Sequence, residues 1–146
     1  ETPHNFDFFK KFDKIDFTNT YVVCACASVN VTVDRGPFFN SDLCFSQWYQ
    51  HSEHRNAKYH FCSVISRSNY NKIGGFDERY SKGCCFEDDN FVKRVEKHGI
   101  KILVRDDIYA YNIEHPTDYS LTPERKEELR QINLDIWRKQ LETEDF

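Results

Sequence analysis

Residues 74–91 read GGFDERYSKGCCFEDDNF. Two glycines open the stretch, and three consecutive acids, Glu87, Asp88 and Asp89, close it ahead of an apolar-patterned run. Acidic residues in a first helical turn are stabilised by the positive end of the backbone dipole, by about 0.3–1 kcal/mol each when exposed. A helix is therefore expected from Glu87 to about His98, with Phe91, Val92 and Val95 inward and Gly99 as its stop. One acid serves that purpose, and three adjacent carboxylates repel one another. The surplus suits a general base toward a hydroxyl or a ligand to a hard cation. Gly74, Gly75 and Gly83 permit a sharp turn or a close backbone approach, while Phe76 and Tyr80 supply flat apolar surface. A glycine floor, an aromatic wall and rim carboxylates fit a polyhydroxylated ligand.

Working outward, Asn5–Phe17 mixes Phe with charge and reads as a short helix over the core. TYVVCACASVNVTV, residues 20–33, is rich in β-branched and small apolar residues and reads as one or two buried strands. Arg35-Gly36-Pro37 is a break, after which Asn40 or Ser41 can cap a helix to about His54, with Leu43 and Trp48 on its packed side. Tyr59–Ser66 is a strand candidate, and Ser68–Ile73 a helical turn ending at Gly74-Gly75. Two short strands are expected after Gly99, IKILV and Ile108–Ile113. Thr122 and Pro123 start a tail helix whose apolar stripe is Leu129, Ile132, Ile136 and Leu141.

A length of 146 residues fits one domain. The net charge of −4, with Lys and Arg dispersed among acids, makes nucleic acid a poor partner. No run of about 18 apolar residues offers a membrane span. Six cysteines occur without any C-x-x-C pair, which argues against structural zinc, and free thiols in a reducing, cytoplasmic setting are the expectation. A Cys/His metal protein built on His51, His54, His60, His98 and His115 remains a minor alternative.

Phe61–Ile102 as a whole resembles the acceptor half of GT-A-fold glycosyltransferases, both glycosyltransferase family 2 and the C-terminal region of the β-1,4-galactosyltransferase family. The residues that carry the resemblance are Ile73-Gly74-Gly75-Phe76-Asp77-Glu78, Gly83, Glu87-Asp88-Asp89, Arg94-Val95 and Gly99-Ile100-Lys101-Ile102. It implies an α/β chain with a partial GT-A (nucleotide-diphospho-sugar transferase) fold, a mixed sheet with flanking helices. Residues 1–146 would then form the C-terminal part that binds the acceptor and supplies the catalytic base. The implied reaction moves a sugar from a nucleotide-diphosphate sugar to an acceptor hydroxyl with inversion. Asp88 would be the base, with Glu87 beside it in the catalytic pair, and Glu87 and Asp89 would orient the acceptor or hold the loop. Gly75, Asp77, Tyr80 and Trp48 would contact acceptor or donor, the aromatics having core packing as their other reading. His115 would be a ligand to manganese or magnesium, or else a histidine closing a strand before Pro116. The loop Gly83-Cys84-Cys85-Phe86 departs from the Trp-Gly-Gly type loop of related galactosyltransferases, and no Asp-x-Asp occurs in the chain. The donor-binding half with that motif is thus expected from a missing N-terminal part or another subunit, and these residues alone are expected to be inactive and prone to self-association. A non-catalytic carbohydrate-binding or scaffold module is the alternative function.

Overall fold

The computed structural model describes residues 8–34, 40–113 and 121–146, giving the backbone alone for 31–34 and 40–43. The contacts divide the chain into two compact units, Glu1–Ser66 with Ile102–Glu114, and Arg67–Lys101 with His115–Phe146.

In the first unit, TYVVCACASVNVTVD forms one long strand, β1 (Thr20–Asp34). β2 (Asn40–Gln50) pairs antiparallel along Cys26–Asp34, β3 (Ser63–Ile65) antiparallel along Tyr21–Val23, and β4 (Lys101–Ile113) also pairs with β1. Every residue from Tyr21 to Val29 is buried, which is why the strand reads as a continuous apolar run without alternation. Strands and helices together make the chain α/β, as the resemblance implied.

Residues 40–50 are a strand where a helix was expected. The register explains the misreading. Gln50 pairs with Cys26 but Trp48 with Ala27, and Gln47 pairs with Ser28 but Phe45 with Val29, so Tyr49 and Ser46 have no opposite number. Each extra residue is a bulge that resets the in–out alternation. Phe45 and Trp48, three apart, thereby meet edge to face at 5.5 Å, and a bulged strand imitates helical spacing.

Two further boundaries moved. Tyr59–Ser66 contains a 3-10 turn, His60–Cys62, before the three-residue β3. The two strands expected after Gly99 are one, because Arg105, Asp106 and Asp107 stay in extended backbone. Their charges are matched along the strand: Arg105 bridges Asp107 at 2.6 Å, and Asp106 accepts from the Ser52 N–H at 3.1 Å and from its hydroxyl. Near the N-terminus Phe9–Phe12 form a 3-10 turn whose Phe12 ring touches Phe8 and Phe17. Residues 13–17 of the expected helix are turn and irregular backbone instead, and residues 5–7 lie outside the described residues.

The second unit holds α1 (Arg67–Lys72), a 3-10 turn (Glu78–Lys82), α2 (Glu87–Lys97) and α3 (Pro123–Thr143). Ile73, Tyr80, Phe91, Val95 and Ile100 are its buried apolar residues. α2 ends as expected: Gly99 adopts φ +67°, its N–H reaches Glu96 O at 2.9 Å, and Ile100 N–H reaches Val95 O at 3.1 Å. This doubly bonded stop packs buried Ile100 against the turn containing buried Val95. Thr122 caps α3 through Oγ1, accepting from Arg125 N–H at 3.2 Å.

The buried face of α3 differs from the expected stripe. Ile132 and Leu141 are 40% and 46% exposed, whereas Asn133 and Gln140, seven residues and hence two turns apart, are fully buried. The reason lies in the loop they meet. Asn133 Nδ2 donates to the backbone oxygens of Cys85 (2.9 Å) and of Tyr80 (3.2 Å), the latter also accepting from the Gly83 N–H at 3.3 Å. Among the described residues no helix is long and apolar enough to cross a membrane.

Gly83 makes this contact possible. A Cβ there would lie 2.2 Å from Asn133 Oδ1 and 2.6 Å from the Leu129 backbone oxygen. Gly83→Ala should therefore cost roughly 1–3 kcal/mol, as overpacking does. Urea titration checks this: the midpoint should fall for Gly83→Ala and stay within error for exposed Ser81→Ala, and equal midpoints would contradict the packing.

Candidate active site around the acidic turn

The second unit gathers most of the expected site residues: Gly75, Asp77, Tyr80 and the Glu87-Asp88-Asp89 block. Trp48 belongs to the first unit, where its ring packs on His51 at 4.4 Å and His54 at 5.9 Å. His115 lies outside the described residues.

The acidic block begins α2 directly after two non-glycine residues in left-handed backbone, Cys85 (φ +65°) and Phe86 (φ +68°). Such a pair is disfavoured for L-residues, and persists where surrounding bonds hold it. Here they are specific. Cys84 N–H donates to Leu129 O at 3.1 Å, Asn133 holds Cys85 O, and the Arg130 guanidinium sits 5.5 Å over the Phe86 ring. The tail helix thus clamps the loop that aims the three carboxylates.

Position on the helix separates the three. Asp88 precedes Phe91 by three and Val95 by seven, so it shares the inward stripe with these buried residues and is half-buried. Glu87 is exposed, Asp89 half-buried, and the following Asn90 fully buried. On the same face, the 43%-exposed Phe76 ring stacks on Phe91 at 4.8 Å, with Tyr70 6.0 Å from Phe76.

The glycine turn has a defined anchor. Gly74 and Gly75 have φ of +75° and +69°, and Arg94 on α2 donates to the backbone oxygens of Ile73 and, at 2.7 Å, Gly75. A Cβ on Gly74 would meet the Arg94 guanidinium at 2.8 Å, and one on Gly75 would meet the Tyr70 ring at 3.0–3.1 Å. The paired glycines and the later arginine are one construction, linking the turn to the helix that carries the acids.

Two of the expected ligand contacts have partners within the unit. Tyr80 is 4% exposed, with no open face for a sugar, and its hydroxyl donates to Gln140 Oε1 at 2.5 Å. Burial, and then the Asp77 charge, push that hydroxyl's pKa up to about 12. The exposed aromatic is Phe76. Asp77 accepts from the Arg79 side chain at 2.8–3.0 Å, from its N–H at 3.0 Å, and from Gln140 Nε2 at 3.1 Å. Burial opposes its ionisation, but the Arg79 bonds and charge outweigh this and hold the carboxyl below its ordinary pKa.

Gln140 is the residue that sequence reasoning missed. Its oxygen accepts from Tyr80 and from Asn90 Nδ2 (3.0 Å), and its nitrogen donates to Asp77 and to Asp145 O (2.9 Å), so all four of the amide's bonds are made. Its signal was weak: two carboxamides, Asn133 and Gln140, at heptad spacing in a charged helix. Among the described residues no group of three or more His, Cys, Asp or Glu is placed to hold a metal ion. His51 and His54, expected on one helix face, sit in a turn closed by the His51–Arg55 backbone pair with rings 4.5 Å apart.

Asp77 carries a pH dependence. Its folded-state pKa lies below the unfolded value of about 3.9, so its stabilisation is complete above that value and is lost as pH falls through the folded pKa. Arg79 is half exposed, so Asp77→Asn should cost only about 1 kcal/mol at pH 7. In urea titrations from pH 7 to 3 the gap between wild type and Asp77→Asn should close on the acid side; a constant gap would contradict the ion pair.

In comparison with protein families, residues 50–116 match the N-terminal domain of galactosyltransferase. No curated protein and no solved structure matches significantly. The matched span contains the glycine turn, Arg94 and the whole acidic block, the same residues that carried the resemblance. Residues 50–116 are thus similar to a galactosyltransferase domain.

Proposed function

We propose that this chain supplies the acceptor side of an inverting glycosyltransferase, with Asp88 as its general base. The observation that carries the reading is the placement of Asp88. It is half-buried on the inward stripe of α2, behind a left-handed Cys85-Phe86 turn, inside the galactosyltransferase-like span. Strained backbone held by its surroundings is a feature of functional sites, and here it fixes a carboxylate at a helix start.

In this mechanism the Asp88 carboxylate accepts the proton of an acceptor hydroxyl. The freed oxygen pair attacks the anomeric carbon opposite the leaving nucleoside diphosphate, and one in-line displacement inverts the configuration. Phe76 provides the apolar face against which a sugar ring can lie, while Glu87 and Asp89 receive hydroxyl donors at the rim. The donor sugar nucleotide is bound by a separate half bearing the Asp-x-Asp. Manganese or magnesium would offset the charge on the leaving diphosphate, with His115 as the residue assigned to it; the described residues hold no ligand set of their own.

A carbohydrate-binding module without catalysis is the competing reading, since the same wall and rim bind hydroxyls. The polypeptide containing this segment together with its donor half separates the two. Incubated with a panel of nucleotide sugars and manganese, it should give a product whose proton NMR coupling reports the anomeric configuration opposite to the donor's. Retention would overturn the displacement, and acceptor binding without any product would leave the binding module.

A further inference from the structure

The first unit contains a thiol pair that the transferase reading does not use. β1 and β3 pair antiparallel as Tyr21 with Ile65, Val22 with Val64 and Val23 with Ser63. Carried one step further, the register sets Cys24 opposite Cys62, the last residue of the 3-10 turn before β3. Directly opposite residues in such a ladder have Cα atoms about 4.5–5.5 Å apart and side chains on one face, within the roughly 4.4–6.8 Å that a disulfide spans. Both thiols are free, Cys24 buried and Cys62 half-buried.

The neighbouring Cys24 thiol favours a Cys62 thiolate and lowers that group's pKa to about 7 against the effect of burial. The same interaction, with burial behind it, raises Cys24. One thiol is therefore a reachable nucleophile and the other a buried resolving partner. Cys26 is buried nearby and raised to about 11, chiefly by burial and then by the Cys62 charge. These sulfurs do not form a metal site.

We propose that Cys24 and Cys62 are a reversible disulfide-forming site, oxidised by low-molecular-weight disulfides through exchange at Cys62. The Cys62 thiolate attacks one sulfur of the small disulfide, whose S–S bond breaks and releases one small thiolate. Cys24, losing its proton, then attacks the Cys62 sulfur of the mixed disulfide and expels the second small thiolate. The two protein thiols lose two electrons, the small disulfide gains them, and the two thiol protons end on the two small thiols. The product ties β1 to β3 covalently and is undone by excess small thiol.

The test is disulfide mapping of the fully reduced protein after equilibration in oxidised and reduced glutathione. Free thiols are alkylated, and peptides are then read by mass spectrometry. The expected product is a Cys24–Cys62 linked peptide, lighter by two hydrogens, that disappears with dithiothreitol. Cys24→Ser should stall the reaction at a glutathione adduct on Cys62. The wild-type map decides independently of that variant's folding. Both cysteines recovered alkylated while Cys44 or Cys85 is oxidised, or Cys62 found linked to Cys26, would overturn the proposal.

Discussion

The Gln140 side-chain amide makes all four of its hydrogen bonds inside the second unit, to Tyr80, Asn90, Asp77 and the Asp145 backbone. It connects the tail helix, the 3-10 turn after the glycine pair and the first turn of the helix carrying the acids. A buried amide of this kind is favourable only when complete, because each lost partner leaves a buried polar group at a cost of about 1–3 kcal/mol. Two turns back on the same face, Asn133 binds the loop that precedes the acids. The left-handed Cys85-Phe86 backbone, and so the aim of Glu87, Asp88 and Asp89, depends on this polar face of α3.

That dependence gives the motif residues distinct physical tasks. Gly74 and Gly75 turn the chain, and Arg94 fastens the turn to α2. Asp77 and Arg79 close the next turn, and Gly83 lets the tail helix come near. The acidic block follows these turns at the start of α2. A helix start needs one acid there, and Asp88 faces the inward stripe with Phe91 and Val95. The match to a galactosyltransferase domain covers this same stretch.

Much of this was legible in the sequence where local rules act alone. The acids before Phe91, Gly99 and the Thr122-Pro123 pair marked helix ends that the structure keeps. The β-branched run of β1 named its own burial. Failures came where tertiary pairing decides. The bulges at Ser46 and Tyr49 gave a strand helical spacing, and only the partner strand reveals them. Tyr80 looked like a ligand platform because sequence shows an aromatic but not the glutamine 60 residues away that buries its hydroxyl. The tail helix showed an apolar stripe, yet the loop carbonyls of Tyr80 and Cys85 are met by its carboxamide face instead.

The claim on which the account rests is that Asp88 removes the acceptor proton. Its direct measurement is the kcat of Asp88→Asn beside its acceptor dissociation constant, in the polypeptide that carries both halves. The account predicts a loss of about 10²–10⁴-fold in kcat with acceptor affinity little changed, and smaller losses for Glu87→Gln and Asp89→Asn. Transfer by Asp88→Asn at near the wild-type rate, with acceptor binding intact, would contradict it.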